Sequence, residues 1–187
     1  MRNPIRPKNL KPRFWPAYLA GALALALSAP TPGSVLAGLP LLAAGIAVRS
    51  WGAGHLVKND LLICSGPYAH VRHPFYLGTL CIGVGFAVML GGRSALVSLA
   101  LLLPWFFGFY FPRKERIEAS RLADLYGEAF ERYREAVPAL WPTRPAYASG
   151  DAARWSWSRY DANNELGTLL ACLAGFALVG IWAVARG

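Results

Sequence analysis

A chain of 187 residues has room for one domain. Its residues are 55% hydrophobic and 16% charged, with a mean hydropathy of +0.34, which is too apolar for a water-soluble domain of this size and indicates an integral membrane protein. The formal charge of +9 would suit a nucleic-acid binder, but the Lys and Arg residues stand in blocks between apolar runs, the pattern of membrane topology, so nucleic acid is set aside as a partner.

In chain order, residues 1–13 carry five basic residues and no acid, ahead of an apolar run over 14–30. A secretory signal peptide ending at Leu27-Ser28-Ala29 is one reading. The next apolar run follows at once, so a first transmembrane helix fits better. Further runs cover 33–51, 74–90, 94–111 and 166–184, each long enough to cross a hydrocarbon core at 1.5 Å per residue. The short turns at Pro30-Thr31-Pro32-Gly33 and Gly91-Gly92 predict antiparallel hairpins, Pro74 suits a first helical turn, and Asn163 or Asn164 can cap the last helix. The fold class expected is therefore an all-α integral membrane domain over 1–187 with about five transmembrane helices.

Lys and Arg alternate between the connecting segments: five before the first run, none at Pro30, three between Arg49 and Arg72, Arg93 alone, nine between Arg113 and Arg159, and Arg186 alone. That places the N-terminus, the 52–73 loop and the 112–163 segment in the cytoplasm and the C-terminus outside. Residues 113–136 have helical period. With Glu118 as origin, Leu122, Leu125, Ala129 and Tyr133 fall within about 60° and Lys114 about 40° to the other side, which predicts a cytoplasmic amphipathic helix with these residues on its protein-facing stripe. Val137-Pro138 ends it, and Trp141, Tyr147, Trp155, Trp157 and Tyr160 predict an interfacial segment over 137–163. Cys64, Cys81 and Cys172 show neither disulfide nor metal spacing.

The chemistry concentrates in Cys64 to Gly78, where two histidines, Arg72, Tyr68 and Tyr76 crowd against an apolar helix. Ionisable groups at a membrane boundary are costly, which makes the cluster a functional-site candidate. Gly66-Pro67 signals a turn, and the helix starting at Pro74 offers free N–H groups beside Arg72 and His73, a suitable anion site. Glu118 supplies the opposite charge. These groups suit a zwitterionic, nucleoside-like cofactor. A zinc site of His55, His70 and His73 finds no supporting Cys or carboxylate spacing, so no metal is expected.

The pattern Gly66-Pro67-Tyr68-x3-Arg72-His73-Pro74-x-Tyr76-x-Gly78, followed by Glu118-x3-Leu122-x3-Tyr126-Gly127-x2-Phe130-x2-Tyr133-x3-Val137-Pro138-x3-Pro142, resembles the isoprenylcysteine carboxyl methyltransferase family. That broad group is also similar to phospholipid methyltransferases, and Arg49-x-Trp51-x2-Gly54-His55-x2-Lys58 looks like its bacterial members. The resemblance covers about residues 45–142. It implies an S-adenosylmethionine (SAM) dependent methyltransferase in a bacterial inner membrane, with the site facing the cytoplasm. The substrate it implies is an amphiphilic lipid or isoprenoid-like molecule entering from the bilayer.

Carried over by position, the resemblance assigns Lys58, Gly66, Pro67, Tyr68, Arg72, His73, Pro74, Tyr76, Gly78 and Glu118 to the cofactor, with Arg72 and Glu118 as the catalytic pair. Substrate-side candidates are His55 and Glu165, as proton acceptors, and Lys114, where the family tends to have an arginine. Lysine lacks the arginine fork for a carboxylate, which argues against a carboxylic acid substrate of the family's kind. The family's second glutamate is Ala119 here. Two other readings compete: an NADPH-dependent membrane reductase of sterol-reductase-like architecture, and a non-catalytic scaffold, which Ala119 would allow.

Overall fold

The computed structural model describes residues 24, 26–57, 61–143, 145–148 and 153–186. The expected span over 14–30 lies outside them except for its end, and Lys58 lies outside them as well. The described residues contain helices and no strand: α1 (Pro32–His55), α2 (Pro74–Met89), α3 (Gly92–Trp105), α4 (Phe111–Tyr126), α5 (Glu128–Ala136), α6 (Trp157–Ala162) and α7 (Glu165–Arg186). Three helical segments, Pro32–His55, Gly92–Tyr126 and Glu165–Arg186, are long and apolar enough to cross a membrane, and α2 is a shorter apolar helix of 16 residues.

Helix α1 opens with a reciprocal cap: the Ser34 amide donates to Thr31 Oγ1 at 3.1 Å and the Thr31 amide to Ser34 Oγ at 2.9 Å. Against it runs α2, antiparallel and very close. Gly38, Gly45 and Gly52 recur every seven residues on α1 and meet Gly85, Gly78 and Pro74 of α2. A Cβ added at Gly45 would lie 2.6 Å from the Gly78 carbonyl oxygen. Without a hydrophobic drive between helices in lipid, such small-residue seams supply the packing contact. Val35, Leu42 and Met89 then pack with Cys172, Val179 and Ala183 of α7, forming the buried core of the three helices.

The bundle has two distinct ends. At one, the Ala29 amide donates to Leu90 O (3.1 Å) and Arg186 Nη1 to Ser28 O (2.7 Å). At the other, the C-terminus of α1 and the N-termini of α2 and α7 come together, and the candidate site residues lie there. Asn163, expected as a cap for α7, donates its side-chain amide to the Ala53 and Leu56 carbonyls at the end of α1, each at 2.9 Å.

The amphipathic helix differs from the expectation in both its ends. It is continuous with the preceding span through a π-helical turn at Phe106–Tyr110, so Gly92–Tyr126 forms one run of 35 residues. Pro104 and Pro112, each lacking an N–H donor, flank the wide turn. At about 50 Å the run exceeds a hydrocarbon core of about 30 Å, so its charged end projects beyond it. The helix then stops at Gly127 (φ 52°), a left-handed position that favours glycine, and α5 begins afresh.

The 137–163 segment is only partly an exposed surface. Trp141 and Trp157 are exposed, but Tyr160 is buried and Trp155 Nε1 donates to Ser50 O at 3.0 Å, fastening the segment to α1. Its first part pairs with the 69–73 loop: Arg72 N donates to Pro138 O (2.9 Å), His73 N to Ala139 O (3.0 Å), Thr143 N to His70 O (3.0 Å) and Tyr147 N to Ala69 O (2.9 Å).

The seam makes a simple prediction. Gly45→Leu should cost about 2 kcal/mol or more through overpacking, read as a lower thermal midpoint in detergent. Gly180→Leu, where an added Cβ meets nothing within 4 Å, should leave the midpoint nearly unchanged.

Candidate active site

The turn Gly66–Ala69 is a short 3-10 helix that buries Pro67, Tyr68 and Ala69. Gly66 sits at φ 60°, and a Cβ there would lie 2.6 Å from the His55 ring. His55 therefore supports the turn from beneath, with its Nδ1 3.0 Å from Trp51 O. The backbone bonds to 138–147 fix the loop after the turn, so Arg72 and His73 are held by main chain before their side chains make any contact.

Arg72 is gripped from two sides. Its Nε donates to Val137 O at 2.9 Å and its Nη1 pairs with Glu115 Oε1 at 2.9 Å, both groups largely buried. Glu118, one turn further along α4, accepts from the Tyr76 hydroxyl at 2.9 Å. The His73 Nδ1 lies 3.7 Å from the same carboxylate, beyond hydrogen-bond reach. Burial lowers the pKa of His73 from its ordinary value; Glu118 opposes this and Arg72 adds to it. The ring is therefore neutral near pH 7 and its proximity to Glu118 is not an ion pair. Its Nε2 is buried with no hydrogen-bond partner among the described residues, as is the Tyr68 hydroxyl. Burial raises the Tyr68 pKa well above the usual tyrosine value, helped by Tyr133 and Glu118, so the hydroxyl keeps its proton. Tyr133 donates to Tyr68 O at 2.7 Å and fixes that residue from α5. Phe111, delivered by the π turn, stands edge-on to His73 and Tyr76 at 6.0 and 6.1 Å.

Two cavities meet at this wall. One, of about 260 Å³, lies between the wall and α4–α5, with an apolar side of Leu62, Leu122 and Phe130. The other, of about 470 Å³, reaches α7 and is floored by Arg49 and Glu165. Tyr68, Arg72, His73 and Glu118 line both. Arg49 and Glu165 form a buried bidentate pair, Nε to Oε1 at 2.6 Å and Nη2 to Oε2 at 2.9 Å, tying α1 to α7.

Of the residues singled out in the sequence, Tyr68, Arg72, His73, Pro74, Tyr76, Glu118 and Glu165 come together around these cavities. Gly66, Pro67 and Gly78 do not line them. Gly66 and Pro67 shape the turn, and Gly78 lies in the α1–α2 seam against Arg49 and Gly45. His55 lines neither cavity. Lys114 lines neither and is exposed; the residue beside it, Glu115, is the one that turns inward to Arg72. Ala119 is buried in a cluster with Cys64, Phe130, Tyr133 and Val137. Glu115 and Arg49 are site residues that the sequence pattern did not single out. Both carried a signal: Glu115 lies about 60° round the helix from Glu118, on the same stripe, and Arg49 opens the motif around His55. Among the described residues, no group of His, Cys, Asp and Glu is arranged to hold a metal ion.

Apolar helices long enough to cross a bilayer, with a polar, half-enclosed pair of cavities at one end, are the features of an integral membrane protein. The chain matches the model of the isoprenylcysteine carboxyl methyltransferase (ICMT) family over residues 43–119. It is similar to the protein-S-isoprenylcysteine O-methyltransferase of Schizosaccharomyces pombe, 31% identical over 113 residues covering 60% of this chain and 46% of the relative. The cobalt-zinc-cadmium resistance protein CzcN of Cupriavidus metallidurans is 33% identical over 101 residues, 53% of this chain and 44% of that one. More weakly, the delta(14)-sterol reductase TM7SF2 of Mus musculus is 32% identical over 81 residues, 41% of this chain and 18% of the reductase. The matches thus span less than half the length of each of these relatives. No solved structure matches at comparable significance.

Removing one member of a buried pair leaves the other uncompensated. Glu115→Gln should therefore destabilise the protein by about 2 kcal/mol or more, with Glu115→Asp milder, read by thermal unfolding in detergent. His73 gives a pH prediction. Its folded pKa lies below its unfolded one, so the unfolded chain binds the extra proton. Its stability contribution is complete above about pH 6.5 and is lost on acidification below that value. Unfolding midpoints between pH 7.5 and 5 should fall more steeply for the wild type than for His73→Gln.

Proposed function

We propose that the chain is a membrane-embedded, SAM-dependent methyltransferase acting on a lipophilic substrate that enters from the bilayer. The single observation that carries the reading is the shared wall: the family-matched stretch 43–119 supplies Tyr68, Arg72, His73 and Glu118, which line both cavities. One cavity lies against α4 and α5 and the other against α1 and α7, so two ligands can meet across that wall.

The first cavity fits the cofactor on its own chemistry. Glu118 offers a carboxylate to an ammonium group. Buried polar atoms normally find partners, and the Tyr68 hydroxyl and the neutral His73 Nε2 find none within the described protein, which leaves them for a bound molecule. Leu122 and Phe130 supply apolar surface for a purine. When bound, SAM supplies a methyl group on a positively charged sulfur. The residues' task is alignment, because in-line displacement depends on orientation and water exclusion more than on acid–base help. Arg72 is held by Glu115 and Val137 with its Nη2 used by neither. The aromatic edges of Tyr76 and Phe111 limit water at the wall.

The positive-inside pattern supports a cytoplasmic placement of this end, on the side where soluble cofactors are found. A bacterial inner membrane is the setting proposed, and membrane lipids are the surrounding partners. The reductase reading would need a nucleotide with several phosphates, and among the described residues the first cavity presents Arg72 and Arg121 as its cations.

Calorimetry of the purified protein should give binding heat with SAM and none with NADPH. Arg72→Ala and Glu118→Ala should each weaken SAM binding by about tenfold or more, equivalent to 1.4 kcal/mol. Heat with NADPH alone would reject the methyltransferase. Membranes given methyl-labelled SAM should carry the label in the lipid extract.

A further inference from the structure

We infer that the second cavity recognises an amphiphile whose head carries an amine rather than a carboxylate. The inference rests on the methyltransferase reading and specifies the substrate class of the same site. It starts from the floor of the cavity. Glu165 takes the Nε and Nη2 donors of Arg49, at 2.6 and 2.9 Å, and Thr79 Oγ1 takes Nη1 at 2.7 Å. Every guanidinium nitrogen is thus engaged inside the fold, and Phe75 covers the cation 5.2 Å away. An incoming carboxylate would have to displace Glu165, whose side chain is 4% exposed, and would strand that charge in a buried position.

The pairing of the side-chain charges on the wall points the same way. Arg72, the other guanidinium facing this cavity, is already paired with Glu115 at 2.9 Å. Arg49 is paired with Glu165 and Arg72 with Glu115, and Glu118 has no arginine or lysine partner among the described residues. If the cofactor takes Glu118, the floor still presents the remaining lone pairs of Glu165, with the hydroxyl of Thr168 beside them. Those acceptors suit a head with N–H groups. The preference runs against the field of the whole molecule, whose net charge of +9 attracts anions. A measured preference for an amine would therefore report the local site and not bulk electrostatics.

The test compares probes of one chain length. Dodecylamine and dodecanoate are titrated, without SAM, into the full-length protein in a nonionic detergent, with binding followed by tryptophan fluorescence. The amine should bind about tenfold more tightly. Glu165→Gln, which releases Arg49, should raise dodecanoate affinity and close the gap. Equal or tighter dodecanoate binding by the wild type overturns the inference, and so does a folded Glu165→Gln protein with unchanged preference. If that variant does not fold, the wild-type comparison decides. A parallel SAM titration separates the two readings. SAM binding with a dodecanoate preference rejects the headgroup assignment alone, and an amine preference without SAM binding rejects the cofactor assignment alone.

Discussion

Two helices can touch backbone to backbone only where neither presents a side chain, and the α1–α2 seam meets that condition through Gly38, Gly45, Gly78 and Gly85. The rest of the structure depends on this approach. It puts the C-terminus of α1 beside the N-terminus of α2, and so puts Arg49 within reach of Glu165 on α7 and of Thr79 on α2. A helix pair held apart by ordinary side chains would separate those groups by several ångströms and open the floor of the second cavity.

On that base the site is braced by segments far apart in the chain. The 69–73 loop has no regular structure to hold it, and its backbone groups are instead satisfied by 138–147. One helix, α4, supplies carboxylates to that loop and to the helix that follows it: Glu115 to Arg72 and Glu118 to Tyr76 of α2. The loop's geometry is thus set by partners from outside it, and its side chains are in place before any ligand arrives. Such preorganisation is what an alignment-dependent reaction requires.

The features legible in the sequence are those with local physical causes. Apolar runs announced the helices because hydropathy is carried by each segment alone, and the Arg72-His73-Pro74 loop stood out because its charges are costly where they lie. The helical stripe drew attention to Glu118, but it could not decide between Lys114 and Glu115, which flank the same face. That choice depends on the side from which Arg72 approaches, and this is set by the 138–139 pairing, which has no local signature. The π turn was hidden for a similar reason. Its cause is the joint placement of Pro104 and Pro112 in one continuous helix, whereas each proline alone reads as a helix boundary.

The unbroken run from Gly92 to Tyr126 joins two environments mechanically. Its first half presents Leu96, Val97 and Leu101 to lipid, and its second half carries both site carboxylates. A rod rooted in a bilayer takes its tilt partly from the thickness of that bilayer. Glu115 and Glu118 thus share one helix with that root, whereas the 69–73 loop they brace leads directly into α2. The π turn, where the rod's hydrogen-bond ladder changes register, stands between its lipid-facing half and the half that carries those two carboxylates.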